Sequence, residues 1–276
     1  MFSTRLNPTK PSAAHRAILE RVGAACRELR PIIAASRGAD PSAETLADVF
    51  RKHGVSTIGI PKEKGGAGTE PLLITLAAER TGREGFLLAR AFAGHIRAPL
   101  DDSTVPQGPS PTAEGLASSE REPEVSFSLL MNYRLCIAGS RVGALADCLE
   151  VLAESAAAWM TENTGTAASS FVEEQFGSMG ANLEAARAIA YAAAELKEEL
   201  DRNPTSEHLR WEAGTLVNEA AVVAHRAYKM SLSCAAQVMV GKESLVTRIP
   251  KRHEYGDWGN QVLTLEKEIG RYYLLL

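Results

Sequence analysis

Helical spacing of apolar residues constrains this chain more than any other feature of its sequence. After Asn132, four long stretches show this spacing, and period-two alternation is nearly absent. The predicted helices cover about 133–160, 170–202, 206–240 and 261–273. Long helices with short connections become antiparallel neighbours, so this half of the chain predicts a four-helix bundle. Only residues 124–129 are compatible with a short strand.

The first hundred residues predict a second helical region. Helical stretches cover about 11–36, from 41 onward, 71–80 and 86–96. Gly54 stands where a helix C-cap glycine belongs, and a glycine-rich loop follows at 58–68. We expect this region to form a helical lobe of its own.

A change of composition separates the two helical regions. Four prolines, the last of them Pro123, lie within residues 101–123 among Ser, Thr, Asp and Glu residues, which indicates an irregular linker. We therefore divide the chain into an N-terminal helical lobe (1–100), a Pro-rich linker (101–130) and a C-terminal four-helix bundle (131–276).

Composition excludes several classes of partner. A formal net charge of −4 gives no electrostatic reason to expect nucleic acid or an anionic membrane. No uninterrupted apolar run is long enough for a membrane span, and residues 1–10 lack the apolar core of a secretory signal, so we expect a cytoplasmic protein. Cys136, Cys148 and Cys234 lie in apolar helical patterns, which predicts buried thiols rather than disulfide or zinc ligands.

Five short segments, in this order, resemble landmarks of the acyl-CoA dehydrogenase family. They are GVSTIGIPKEKGGAG (54–68), NYRLCIAGSRVG (132–143), Gln175-Phe176-Gly177, AAQVMVG (235–241) and NQVL with GRYYL (260–274). The resemblance implies an all-α fold with the family's N-terminal helical lobe and C-terminal four-helix bundle. It also implies that the family's middle β-domain is missing, since only the Pro-rich linker occupies its place.

The resemblance also assigns candidates for the catalytic base. In the family, a glutamate just before the last helix removes the α-proton of the acyl chain. Counting back from Asn260 puts Asp257 at that position, and Glu254 and His253 lie in the same charged loop. The alternative family position, the residue before Arg134, holds Tyr133. We expect Asp257, Glu254 and His253 to supply acid–base groups, against the alternative of a solvated charged loop.

The flavin positions implied by the resemblance have changed. Glu173 stands where the family places an arginine for the pyrophosphate, and a carboxylate there replaces attraction by repulsion. Gln237 and Gly241 remain as remnant flavin positions, but the surrounding glycine cluster is lost. We therefore expect no cofactor, with FAD in an altered site as the alternative. No metal site is expected.

Other polar residues are interpreted as structural. His225 and Tyr228 are expected in a core or an interface, and His95 is expected to be a helix-end residue. Carboxylates three or four residues apart, such as Asp147 and Glu150, lack a histidine at metal-ligand spacing and predict solvated faces.

Three functions remain compatible with these observations. The first is a flavin-free enzyme that performs elimination, isomerisation, hydration or cyclisation on an acyl or polyketide-like thioester, carried by CoA or by a carrier protein. The second is a non-catalytic subunit of a hetero-oligomeric acyl-CoA dehydrogenase. The third is an FAD-dependent acyl dehydrogenase with an altered flavin site. We favour the first, and by resemblance we expect a homodimer or an assembly with a full-length homologue.

Overall fold

Seven α-helices account for most of the described structure. The computed structural model describes residues 11–35, 42–101, 123–162 and 167–238. Its helices are α1 (Ala13–Ala35), α2 (Ala43–Lys52), α3 (Pro71–Glu84), α4 (Phe86–Asp101), α5 (Pro123–Glu162), α6 (Ala167–Arg202) and α7 (Glu207–Val238). Within these ranges the only β-type pairing is an isolated bridge between Ile58 and Gly68. The all-α prediction is confirmed, and the expected helix at 261–273 lies outside the described residues.

The start of α5 differs from the prediction. Residues 124–129, which suit a short strand, form the first turns of this helix, and residues 123–130 of the predicted linker therefore belong to α5. The reason is tertiary: Phe127 packs against the main core, and its Cζ atom would lie 3.3 Å from a Cβ atom at Gly214 of α7. Only residues 102–122 separate α4 from α5. A barrel needs several strands of about five residues each, so the interval has no room for the middle β-domain.

Local caps explain how the N-terminal helices end. The Ser42 hydroxyl accepts a 3.1 Å hydrogen bond from the Thr45 backbone N–H and so caps α2. Gly54 follows the C-cap residue of α2 with a φ of 69°, the left-handed conformation expected of a C-terminal glycine. The loop beyond it closes on itself, because Gly59 N–H donates a 2.9 Å hydrogen bond to the Gly68 carbonyl.

One continuous apolar core joins the N-terminal helices to the bundle. Buried residues of α1 to α4, such as Leu29 and Phe92, belong to the same cluster as Leu145 of α5 and Val217 of α7. A smaller cluster lies at the far end of the bundle; its members are Cys148, Leu152, Met179 and Ala235. The lobe and the bundle are therefore packed against each other.

Cysteine burial follows the prediction in part. Cys136 and Cys148 are buried, as expected, and so is Cys26, whereas Cys234 is only half-buried.

In the described part of the chain, no helix combines the length and the apolarity that crossing a bilayer requires.

Candidate functional site

Most of the predicted site residues lie outside the described structure. This applies to Asp257, Glu254, His253 and Gly241. Gln237 lies in the last turn of α7, but its side chain is not among those described. The described residues therefore report on the surroundings of the predicted site, above all on Tyr133 and Arg134 of α5, where the resemblance puts the alternative base position.

The alternative base position is buried beside a cationic contact between two helices. Tyr133 and Arg134 of α5 are both buried, with 6% and 8% of their surfaces exposed. Arg134 Nη1 donates a 2.7 Å hydrogen bond to the side-chain oxygen of Asn218 in α7, which is also buried. This pair joins the first and third helices of the bundle across its interior.

A second polar contact lies two helical turns further along the same helices. The guanidinium of Arg141 lies over the ring of Tyr228, 5.4 Å from its centroid, and Arg141 is only 1% exposed. His225 of α7 lies nearby, because Arg141 contributes to its titration. Arg134 and Arg141 are seven residues apart and share one face of α5, and Asn218 and His225, also seven residues apart, share one face of α7. We refer to these six residues (Tyr133, Arg134, Arg141, Asn218, His225, Tyr228) as the α5–α7 seam.

The α5–α7 seam contains charged guanidinium groups and one neutral imidazole. Burial, together with smaller contributions from the positive charges of Arg141 and Lys229, lowers the pKa of His225 to about 4. His225 is therefore neutral near pH 7. The seam combines two guanidinium groups, which can stabilise developing negative charge, with no carboxylate that could remove a proton. A base would have to come from elsewhere, such as the predicted charged loop.

Sequence reasoning identified some seam residues and missed others. The expectation that His225 and Tyr228 belong to a core is confirmed, since both are buried. Arg141 and Asn218 were not singled out. The available signal was the seven-residue spacing of polar residues within two otherwise apolar helices, but it identifies a shared face and not a partner.

A second buried network joins α3 to α6. Glu79, which is 9% exposed, accepts hydrogen bonds from Arg187 Nη2 (2.9 Å), Arg187 Nε (3.2 Å) and the Tyr191 hydroxyl (2.5 Å). Burial and the negative charge of Glu79 both raise the pKa of Tyr191. For Arg187, burial lowers the pKa, but the adjacent carboxylate outweighs it and the net shift is upward. Sequence reasoning missed this network entirely.

The remaining polar candidates have structural contacts. His95 lies within α4, and its Nε2 is hydrogen-bonded at 2.9 Å to the carbonyl of Ile58, which holds the glycine-rich loop against the helix. Glu150 forms an ion pair with Arg83 of α3. Glu173 is exposed on α6. Among the side chains that are described, no group of three or more His, Cys, Asp or Glu residues has the arrangement of a metal site.

Comparison with known proteins agrees with the observed helices. Residues 124–239 match the model of the acyl-CoA dehydrogenase C-terminal domain. A search of curated proteins finds no match. Among solved structures, the chain is similar to a dibenzothiophene monooxygenase from Paenibacillus sp. A11-2, with a TM-score of 0.69, 15% identity, and coverage of 94% of this chain and 97% of that chain. At this identity the likeness concerns the fold alone.

Proposed function

Because residues 124–239 match the model of the acyl-CoA dehydrogenase C-terminal domain, we propose that the chain is a diverged homologue of that family that acts without flavin on an acyl or polyketide-like thioester. In this proposal Asp257 is the first candidate for the base, with Glu254 and His253 as further acid–base groups. The thioester is carried by CoA or by a carrier protein. The reaction class is elimination, isomerisation, hydration or cyclisation, none of which requires a redox cofactor.

The identity and exposure of Glu173 are the main support for the flavin-free part of the proposal. It stands where the resemblance places a pyrophosphate-binding arginine, and it is exposed on α6 next to a second exposed carboxylate, Glu174. Two negative charges on this surface repel a pyrophosphate instead of binding it. The residues present therefore do not fit a flavin bound in the family manner, and no redox step is assigned to the chain.

Acid–base chemistry on a thioester requires a base and a group that stabilises developing negative charge. The base removes the proton from the carbon beside the thioester carbonyl, and the electron pair moves onto the carbonyl oxygen to form an enolate. The enolate electron pair then forms a double bond between the α- and β-carbons while a leaving group at the β-carbon departs with the electron pair of its own bond, or a proton returns at another carbon. Tyr133 is buried and is not a carboxylate, so the alternative family position supplies no base. This favours the loop that contains Asp257.

The flavin part of the proposal is tested by the visible spectrum of the purified protein, before and after addition of FAD. We expect a colourless protein that leaves the spectrum of added FAD unchanged. Glu173→Arg restores the expected cation, and Glu174→Arg introduces the same charge one residue away as a matched control. A flavin band in the purified wild-type protein would contradict the proposal and return the chain to redox chemistry.

Proton exchange tests the acid–base part without knowledge of the product. A panel of acyl-CoA and acyl-pantetheine thioesters is incubated with the protein in deuterated buffer, and deuterium at the α-carbon is followed by mass spectrometry. We expect exchange with the wild-type protein and a loss of about a hundredfold in Asp257→Asn. If Asp257→Asn exchanges at the wild-type rate, the base is not Asp257. If the wild-type protein exchanges none of the panel, the enzyme proposal fails.

Exposed apolar side chains favour a second candidate function, that of a non-catalytic subunit. Phe171 of α6 is 42% exposed, and Trp211 and Met230 of α7 are 62% and 55% exposed. Large apolar groups on the outer helices of a bundle suit a subunit interface. Co-expression with a full-length acyl-CoA dehydrogenase of the same host, followed by light scattering of the purified complex, tests this candidate. Under the first proposal we expect a homodimer, and under the second a mixed assembly.

A further inference from the structure

A cleft of about 430 Å³ lies between α1, α3 and α6, and its lining shares no residue with the α5–α7 seam. Four arginines line it: Arg16 and Arg27 of α1, and Arg80 and Arg83 of α3. The cleft falls within the size range of small-molecule sites, which begins at about 300 Å³. Its lining is unusually cationic for a chain in which 34 acidic residues outnumber 30 basic ones.

Three of these arginines have no acidic partner among the described residues. Arg83 pairs with Glu150, whereas Arg16, Arg27 and Arg80 form no ion pair within the described ranges. Elsewhere in the same ranges, arginines commonly do pair, as Arg30 does with Glu84 and Arg51 with Asp48. Like charges that face one cleft without forming ion pairs raise its potential and attract an anion.

A glycine forms the floor between two of the guanidinium groups. A Cβ atom at Gly23 of α1 would lie 3.3 Å from Arg80 Nη2 and 3.5 Å from Arg27 Nη1. Both guanidinium groups therefore lie over the same point of the α1 backbone. Glycine is among the least favourable residues in a helix interior, so its presence here indicates that the space above it is needed.

The acidic residues of the lining do not cancel this charge. Glu79 is already bound by Arg187 and Tyr191, and it lines the cleft together with Tyr191. Glu20 is exposed at the rim. Leu19 and Leu76 add apolar surface beside the cations, which suits a ligand with an organic part as well as an anionic one.

We propose that this cleft binds a small organic molecule that carries a phosphate group. Arginine binds phosphate oxygens through two parallel N–H donors, and a pair of guanidinium groups over one point can hold a single phosphate from two sides. The inference is independent of the proposed thioester chemistry, because it concerns a different face of the molecule and is tested by binding alone.

The test measures binding of two probes by calorimetry at constant ionic strength. Inorganic pyrophosphate represents the phosphate group, and ADP represents an organic phosphate. We expect saturable binding of both, with ADP the tighter because of the apolar part of the lining. Arg80→Gln and Arg27→Gln should each weaken binding about tenfold or more, as expected for the loss of one charge-assisted contact. Arg51→Gln, on the exposed face of α2, is the matched control and should bind as the wild type does.

Two further variants separate loss of the site from loss of the fold. Gly23→Ala should keep or raise the melting temperature, because alanine favours the helix, yet weaken binding by displacing the Arg80 guanidinium, which would lie 3.3 Å from the new Cβ atom. Glu20→Gln should tighten binding by removing a negative charge at the rim. Equal affinity for pyrophosphate and ADP would overturn the organic part of the proposal. Absence of binding, or equal binding by Arg80→Gln and Arg51→Gln, would overturn the site itself.

Discussion

Gly143 of α5 lies so close to the backbone of α3 that a Cβ atom at this position would be 2.1 Å from the carbonyl oxygen of Glu79. Similar distances occur at Gly139, where a Cβ atom would be 2.4 Å from the Thr75 carbonyl oxygen, and at Gly82 of α3, where it would be 2.3 Å from that of Ser140. The obstacles are backbone atoms, which cannot rotate away as a side chain can. These glycines therefore allow direct backbone contact between the lobe and the bundle.

Gly143→Ala is expected to lower the free energy of unfolding by about 3 kcal/mol, because the added methyl group forces the two helices apart. Urea denaturation followed by circular dichroism measures the change. Gly177→Ala makes the same substitution in α6, where a Cβ atom would meet nothing within 4 Å in the described structure. It should raise stability by about 0.5–1 kcal/mol through helix propensity alone. Equal effects of the two variants would show that α3 and α5 are not in backbone contact.

The hydrogen bond from Tyr191 to Glu79 predicts a loss of stability at alkaline pH. Burial, and then the charge of Glu79, raise the pKa of Tyr191 above its ordinary value of 10.0 in the folded protein. Above pH 10 the unfolded chain releases this proton and the folded protein retains it, so stability falls as pH rises. Tyr191→Phe should show a shallower decline between pH 9 and 11, measured by denaturation at each pH. Parallel declines in the two proteins would contradict the raised pKa.

The neutral state of His225 predicts a loss of stability at acidic pH. Its pKa is about 4 in the folded protein, against an ordinary value of 6.5. Between these values the unfolded chain binds a proton that the folded protein does not, so stability falls as pH falls, by about 3 kcal/mol at most from this group. His225→Gln should remove that part of the pH dependence. An equal pH dependence in the wild type and in His225→Gln would contradict the lowered pKa of His225.

Thiol reactivity should follow burial. Burial raises the pKa of Cys26 and of Cys148 to about 12, with smaller contributions from Glu84 and Asp147 respectively. Because the thiolate is the reactive form, neither residue should react with iodoacetamide at pH 8 while the protein is folded. Cys234, which is half-buried, should be labelled first. Peptide mass spectrometry after timed labelling locates the modified residues. If Cys26 were labelled as fast as Cys234, the buried position of Cys26 in α1 would be contradicted.

Helix periodicity predicted much of the bundle because it is a local property. The helices expected at 170–202 and 206–240 are observed as Ala167–Arg202 and Glu207–Val238. The prediction failed at residues 124–129, whose short alternation suits both a strand and the first turns of a helix. Phe127 resolves that ambiguity by packing on α7, a contact that sequence spacing does not contain.

The site was less accessible to sequence reasoning than the fold. The resemblance located Tyr133 and Arg134 in α5 and Glu173 in α6, and the structure adds that the first two are buried and the third is exposed. Asp257, Glu254, His253 and the flavin remnant Gly241 stay predictions, since they lie outside the described residues. The cationic cleft was not foreseen, because its arginines are scattered along α1 and α3 and look like ordinary surface charges.

The order of residues was enough to predict an all-helical fold, which the described residues confirm, and a resemblance to acyl-CoA dehydrogenases, which the match of residues 124–239 to their C-terminal domain supports. Both conclusions depend on spacing and motifs within short segments, which the amino-acid order contains directly. Only the tertiary structure decided that Tyr191 donates to Glu79 across 112 residues, and that Arg27 and Arg80 meet over Gly23. Such pairs depend on which helix faces pack together, and that choice is made by the burial of the whole core and not by any one segment.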